Sequence, residues 1–130
     1  MKKVLNGIVP PLVTPLLDND TLDLDGLERL IEHVIAGGVH GIFILGTTGE
    51  AQSLSFTLRE EMIKQTSKIL KGRLPLLVGI SDTSLSDSIR LSYSAAEYGA
   101  DAVVSAPPYY FAAAQPELID FYEALIPQTA

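Results

Sequence analysis

The segment Gly38-Val39-His40-Gly41-Ile42-Phe43-Ile44 returns 61 residues later as Gly99-Ala100-Asp101-Ala102-Val103-Val104-Ser105. Each copy holds the end of a helical pattern, a glycine stop, a small turn and an apolar strand. Two strand–helix units per 61 residues give about 30 residues per unit, the length of a parallel βα crossover. Four strand candidates fit that spacing: 8–13, 41–45, 75–80 and 102–105. They are apolar at nearly every position rather than at alternate ones, as strands covered on both faces are. Pro10 and Pro11 demote the first to a frayed or terminal ladder, because proline brings no N–H.

Helical periods fill the gaps. Leu27, Leu30, Ile31, Val34 and Ile35 repeat at helical spacing behind an Asp23 cap and before Gly37-Gly38. Met62, Ile63, Thr66, Ile69 and Leu70 repeat it behind Ser55 and before Gly72. A third helix runs from a Ser84 cap through Ile89, Tyr93 and Ala96 to Gly99. A fourth runs from Pro116 through Leu118, Phe121, Tyr122 and Leu125 to about Pro127. The chain therefore reads as (βα)4. A closed (βα)8 barrel takes roughly 250 residues, so 130 residues make either a small open sheet or the N-terminal half of a barrel. No linker or charge block divides the chain.

Composition narrows the chemistry. With 47% hydrophobic residues the chain supports a packed core, and 16 acidic against 9 basic residues give a net charge of −7. Such a chain repels nucleic acid and anionic membrane surfaces. No cysteine is present, which excludes disulfides, thiolate nucleophiles and cysteine metal sites and points to the cytoplasm. The start carries Lys2 and Lys3, but Asn6, Gly7, Pro10 and Pro11 interrupt the apolar stretch a signal peptide needs. The chain is expected to be soluble.

In βα folds, chemistry gathers at the carboxyl ends of strands. Two loops stand there. Gly46-Thr47-Thr48-Gly49-Glu50 offers tight bends, successive N–H groups and two hydroxyls, a small cradle for a carboxylate or phosphate. An ordinary strand exit, with threonines capping their own backbone, is the alternative. Ser105-Ala106-Pro107-Pro108-Tyr109-Tyr110-Phe111 presents phenols for proton transfer, or else an aromatic plug or subunit contact. His33 reads as a solvated ring, and His40 lies at the amino-terminal rim, where stability is kept. The run Asp18, Asp20, Asp23, Asp25 has the composition of a calcium loop without its glycine and closing glutamate, so a turn and helix cap is expected. Ser81-Asp82-Thr83-Ser84 lines the same mouth or caps a helix.

Taken together, Gly46-Thr47-Thr48-Gly49-Glu50 and Pro108-Tyr109-Tyr110, with the Val13-Thr14-Pro15 start and Gln115, make the chain resemble the dihydrodipicolinate synthase and N-acetylneuraminate lyase family of pyruvate-dependent class I aldolases. The resemblance implies the N-terminal half of a TIM (β/α)8 barrel, with residues 1–130 a single partial domain. It implies Schiff-base carbon–carbon or carbon–oxygen lyase chemistry on pyruvate, or a related 2-keto acid, with an aldehyde. No metal or organic cofactor is implied, and the parent is a homo-oligomer, a dimer or a tetramer built of dimers. By position, Gly46, Thr47 and Thr48 receive the pyruvate carboxylate, and Thr47 also joins a hydroxyl relay. Tyr110 completes that relay in a neighbouring subunit. Glu50 orders the loop rather than titrating.

Two departures limit the match. Synthases that use aspartate semialdehyde usually carry Asn where this chain has Phe111, which leaves other pyruvate aldolases open. The family's Schiff-base lysine lies on a sixth strand, whereas the lysines here are Lys2, Lys3, Lys64, Lys68 and Lys71, none at a strand's carboxyl end. The 130 residues alone are therefore expected to be inactive. The competing expectation is a stand-alone half-barrel that pairs as a homodimer in a structural or anion-binding role; an open-sheet regulatory domain is a third.

Overall fold

Three short polar side chains set helix starts where the sequence places them. In the computed structural model, which describes residues 5–130, Asp23 accepts from the Gly26 N–H and opens α1 (Leu24–Ala36). Ser55 accepts from Leu58 N–H and opens α2 (Phe56–Leu70), and Ser84 accepts from Asp87 N–H and opens α3 (Leu85–Glu97). The fourth helix, α4 (Gln115–Leu125), has no side-chain cap, and Pro116 occupies its first turn, where no N–H is needed. Met1 to Val4, including the Lys2-Lys3 pair, lie outside the described residues.

The strands are shorter than their apolar runs: β1 (Ile42–Ile44), β2 (Leu76–Gly79) and β3 (Ala102–Val104). They form one parallel sheet in the order β1-β2-β3, with Ile44 beside Val78 and Gly79 beside Val104. Residues 8–13 run parallel to β1 but contribute an isolated bridge, Pro11 with Phe43, rather than a fourth strand. Leu12 N–H donates to Phe43 O at 2.8 Å and Phe43 N–H to Pro10 O at 3.1 Å. The two prolines supply carbonyls without donors, so the ladder stops there.

One strand face points to the helices and carries Ile42, Ile44, Leu76 and Val78, all buried. Against it pack Leu27 and Ile31 of α1, Met62, Ile63, Thr66 and Leu70 of α2, and Leu125 of α4. The other face carries Phe43, Leu77 and Val104, half-buried.

Helix α3 departs from its sequence pattern. Its expected stripe was Ile89, Tyr93 and Ala96, yet Tyr93 is 57% exposed and the buried residues are Ser88, Leu91, Ser92 and Ala95. Small side chains let this face lie close to its neighbours, and the Ser92 hydroxyl is satisfied by donating to Ile89 O at 2.7 Å. The aspartate run is a turn and a cap, as expected. Asp18 accepts from Asp20 N–H and from the Thr21 hydroxyl, which hold its carboxyl below the ordinary value.

The 61-residue echo also has a structural counterpart at the amino-terminal rim. His40 N–H donates to Ile8 O while its Nδ1 accepts Ile8 N–H at 3.0 Å. Asp101 N–H donates to Leu76 O while its carboxylate accepts Leu76 N–H at 2.9 Å. Each clasps the start of the preceding strand or strand-like segment. Among the described residues no helix is long and apolar enough to cross a membrane.

Candidate active site

The β1 exit is a folded loop rather than a simple strand end. Gly49 N–H donates to Gly46 O at 3.1 Å, Glu50 N–H to Thr47 O at 3.0 Å and Ala51 N–H to Gly46 O at 3.4 Å. Those three donors close the turn internally, so the free N–H groups of the expected cradle narrow to those near Thr47 and Thr48. Glu50 takes φ 54° and starts the short 3-10 turn Ala51–Ser53 with its main chain. Its carboxylate is exposed, so its backbone is the part that orders the loop.

The threonine hydroxyls do not cap their own backbone. Both residues are exposed, and among the described residues neither hydroxyl has a hydrogen-bond partner within the chain. The loop is fastened instead by Thr14, a buried residue whose hydroxyl donates to Gly49 O at 2.7 Å. Gly46 is needed for space, because a Cβ there would stand 2.7 Å from the Phe43 ring.

Beside this loop lies a cleft of about 170 Å³ at the carboxyl ends of the strands. Phe43, Leu45, Gly46 and Thr47 line it from β1 and its exit, Gly79 and Ser81 from β2, Val104 and Ala106 from β3, and Gln52 from the 3-10 turn. Thr48 and Tyr110 do not line it. A larger trough of about 590 Å³ runs along the outer face of α4, but its walls are almost wholly apolar. The cleft is the place with polar groups over a packed sheet, as βα chemistry requires.

The tyrosine loop is anchored at its root. Ala106 N–H donates to Ser81 Oγ at 2.8 Å, and the Tyr122 hydroxyl donates to Ser105 O at 3.2 Å. Beyond that root Tyr110 takes φ 78°, is 89% exposed and meets Phe111 edge to face. The side chain is open to solvent and does not line its own cleft.

A buried ion pair supports the β2 exit and was invisible in the sequence. Arg59 of α2 reaches Asp82 Oδ2 at 2.8 Å, while Asp82 Oδ1 accepts Ser84 N–H at 2.9 Å. Burial pushes the Asp82 carboxyl up; the Ser84 N–H and the Arg59 guanidinium outweigh it, so the net direction is down. The Phe56 ring carries two guanidinium contacts, from Arg59 at 5.2 Å and Arg90 at 3.9 Å. Ser81 and Ser84 thus divide the work that the sequence left open: one lines the mouth and the other caps α3.

The model of the dihydrodipicolinate synthetase family matches residues 4–130. The chain belongs to that family. A solved dihydrodipicolinate synthase from Bacteroides thetaiotaomicron is 69% identical, with a TM-score of 0.92 over 99% of this chain and 43% of that one. The N-acetylneuraminate lyase of Citrobacter koseri is 35% identical over 97% of this chain and 42% of its own length. A crystal structure of YagE from Escherichia coli K12, a family member in complex with pyruvate, is 31% identical, with a TM-score of 0.91 over 98% of this chain and 43% of that one. The chain thus spans about two fifths of the length of these relatives, and its sheet and helices correspond to a half-barrel.

Among the described residues no lysine lines the cleft. Lys64 and Lys68 lie on α2, and Lys71 closes its carboxyl end, beside the start of β2 rather than its exit.

Proposed function

We propose that residues 1–130 are one partial domain, the N-terminal half of a pyruvate-dependent class I aldolase or lyase barrel, and that they supply its keto-acid carboxylate site. The observation that carries this is the pair of adjacent threonine hydroxyls, unpartnered among the described residues, beside a cleft at the carboxyl ends of a parallel sheet. Hydroxyl and main-chain donors held by a folded loop suit a carboxylate, because the cost of ordering them is met before the ligand arrives. Gly46 gives the loop its close approach, Thr47 faces the cleft, and Thr48 stands beside it as the second donor.

In the parent reaction a lysine amine attacks the ketone carbon of pyruvate, water leaves, and an iminium forms. Loss of a methyl proton gives an enamine that adds to an aldehyde; cleavage is the reverse. This chain's lysines do not occupy that role. Its own part is to fix the carboxylate and, through Thr47, to hand protons along a relay whose next member is Tyr110 of a neighbouring copy. The exposed phenol of Tyr110 on a left-handed residue suits that reach. Phe111, next to it, leaves aldehydes other than aspartate semialdehyde open.

Titrating pyruvate into the 130-residue chain, followed by amide shifts in NMR, tests the carboxylate site. Thr47→Val is expected to weaken binding about tenfold, the loss of one charge-assisted hydrogen bond, without moving the thermal midpoint, since the side chain is exposed. Unchanged affinity removes Thr47 from the site. Borohydride added to the chain with pyruvate should trap no adduct; a modified lysine would overturn the division of labour.

A further inference from the structure

Leu45 ends the buried run of β1 with φ 58°, a left-handed backbone that bulky residues seldom adopt, and yet its side chain is 2% exposed in the core. The turn at Leu45 carries its carbonyl off the β1 ladder and over the neighbouring strand. There it meets Gly79, the last residue of β2. A Cβ on Gly79 would overlap the Leu45 carbonyl oxygen, and would stand 2.6 Å from its carbonyl carbon and 3.3 Å from Gly46 N. Gly79 is not among the residues with positive φ. Glycine is therefore required there for the room it leaves, not for its own backbone freedom.

We propose that Gly79 is a positioning residue for the β1 exit: the space of its missing side chain seats the Leu45 carbonyl and thereby sets where Gly46-Thr47-Thr48 stands over the cleft. The proposal rests on the carboxylate reading of that loop only for its functional consequence. Strain at Leu45 is held by two packed surroundings, its side chain in the core and its carbonyl on Gly79, as strained residues at sites usually are. Thr14 fixes the far end of the loop at Gly49, so the loop is pinned at both ends.

Gly79→Ala in the 130-residue chain tests this by two readouts. Without ligand, the amide resonances of Gly46, Thr47 and Thr48 should move, although β2 pairs with β3 at Gly79 and Val104 as before. With pyruvate, affinity should fall about tenfold, the loss of one well-placed charged hydrogen bond. Thr47 and Thr48 amides left at their wild-type positions in a folded variant overturn the proposal. If Gly79→Ala does not fold, the double variant Leu45→Gly/Gly79→Ala decides. Glycine at 45 frees the carbonyl to turn aside but also empties a core position, so the double variant is read against Leu45→Gly alone: one as folded as Leu45→Gly supports the seat, and one that unfolds where Leu45→Gly alone folds overturns it. A wild-type chain that shows no affinity for pyruvate removes the carboxylate reading alone, because the ligand-free amide readout still judges the seat.

Discussion

Asp82 shows how one buried charge organises the mouth without touching it. Its carboxylate joins Arg59 on α2 to the start of α3, and both side chains are about nine-tenths buried. Asp82→Asn would leave the guanidinium buried without its counter-charge, a loss expected at about 3 kcal/mol. The folded carboxyl lies below its ordinary value, so its contribution is present above the unfolded value near pH 4 and fades as pH falls through the folded one. Urea titrations at several pH values should show the gap between wild type and Asp82→Asn narrowing on acidification; a constant gap would mean that the pair does not titrate as described. This pair lay beyond the reach of the sequence. Arg59 sits among Glu60, Glu61 and Lys64 in a helix whose charges read as solvated, and its partner is 23 residues away. The place of Thr47 at the cleft was legible because a strand exit bounded by glycines is a local signal. The roles of Thr14 and Gly79 were not, since each depends on a neighbour from another unit.

Among the elements, the helix starts followed local rules, and Asp23, Ser55 and Ser84 cap as their side chains dictate. The face of α3 did not. A hydrophobicity pattern sends serine to solvent and tyrosine inward, whereas a helix that must approach its neighbours closely favours the smallest side chains on the inner side. Ser88 carries the consequence: it is fully buried, and among the described residues its hydroxyl has no hydrogen-bond partner. An unmet buried hydroxyl costs about 1–3 kcal/mol, and alanine is the better helix former. Ser88→Ala is therefore expected to raise the thermal midpoint, with a gain of about 1 kcal/mol or more in chemical unfolding. Ser92→Ala is the control, because its hydroxyl is satisfied by Ile89 O, and it should gain less. A Ser88→Ala variant less stable than wild type would show that the hydroxyl has a partner.

At the scale of the whole molecule, spacing gave three of the four expected strands, all parallel, and the four helices, while the first expected strand is reduced by Pro10 and Pro11 to a single bridge. That reduction decides how the chain behaves by itself. Among the described residues β3 has a hydrogen-bonded neighbour on one side only, and α4 and the 3-10 turn that follows it present Ile119 and Ile126 at 55% and 66% exposure. A closed homodimer would need the free edge of β3 to pair with residues 8–13 of a second copy. Residues 8, 10 and 12 already face β1, so the outward positions are Val9, Pro11 and Val13, and Pro11 has no donor. Two such junctions make a poor seam, whereas the apolar α4 face and the β3 edge accept partners in many registers. The net charge of −7 opposes contact, but salt screens it. Sedimentation velocity on the 130-residue chain is therefore expected to show an average mass that climbs with protein and salt concentration, and Ile119→Lys/Ile126→Lys should flatten the climb. One sharp species at twice the monomer mass, indifferent to those lysines, would instead establish the half-barrel homodimer, and with it a seam that tolerates the missing donor of Pro11.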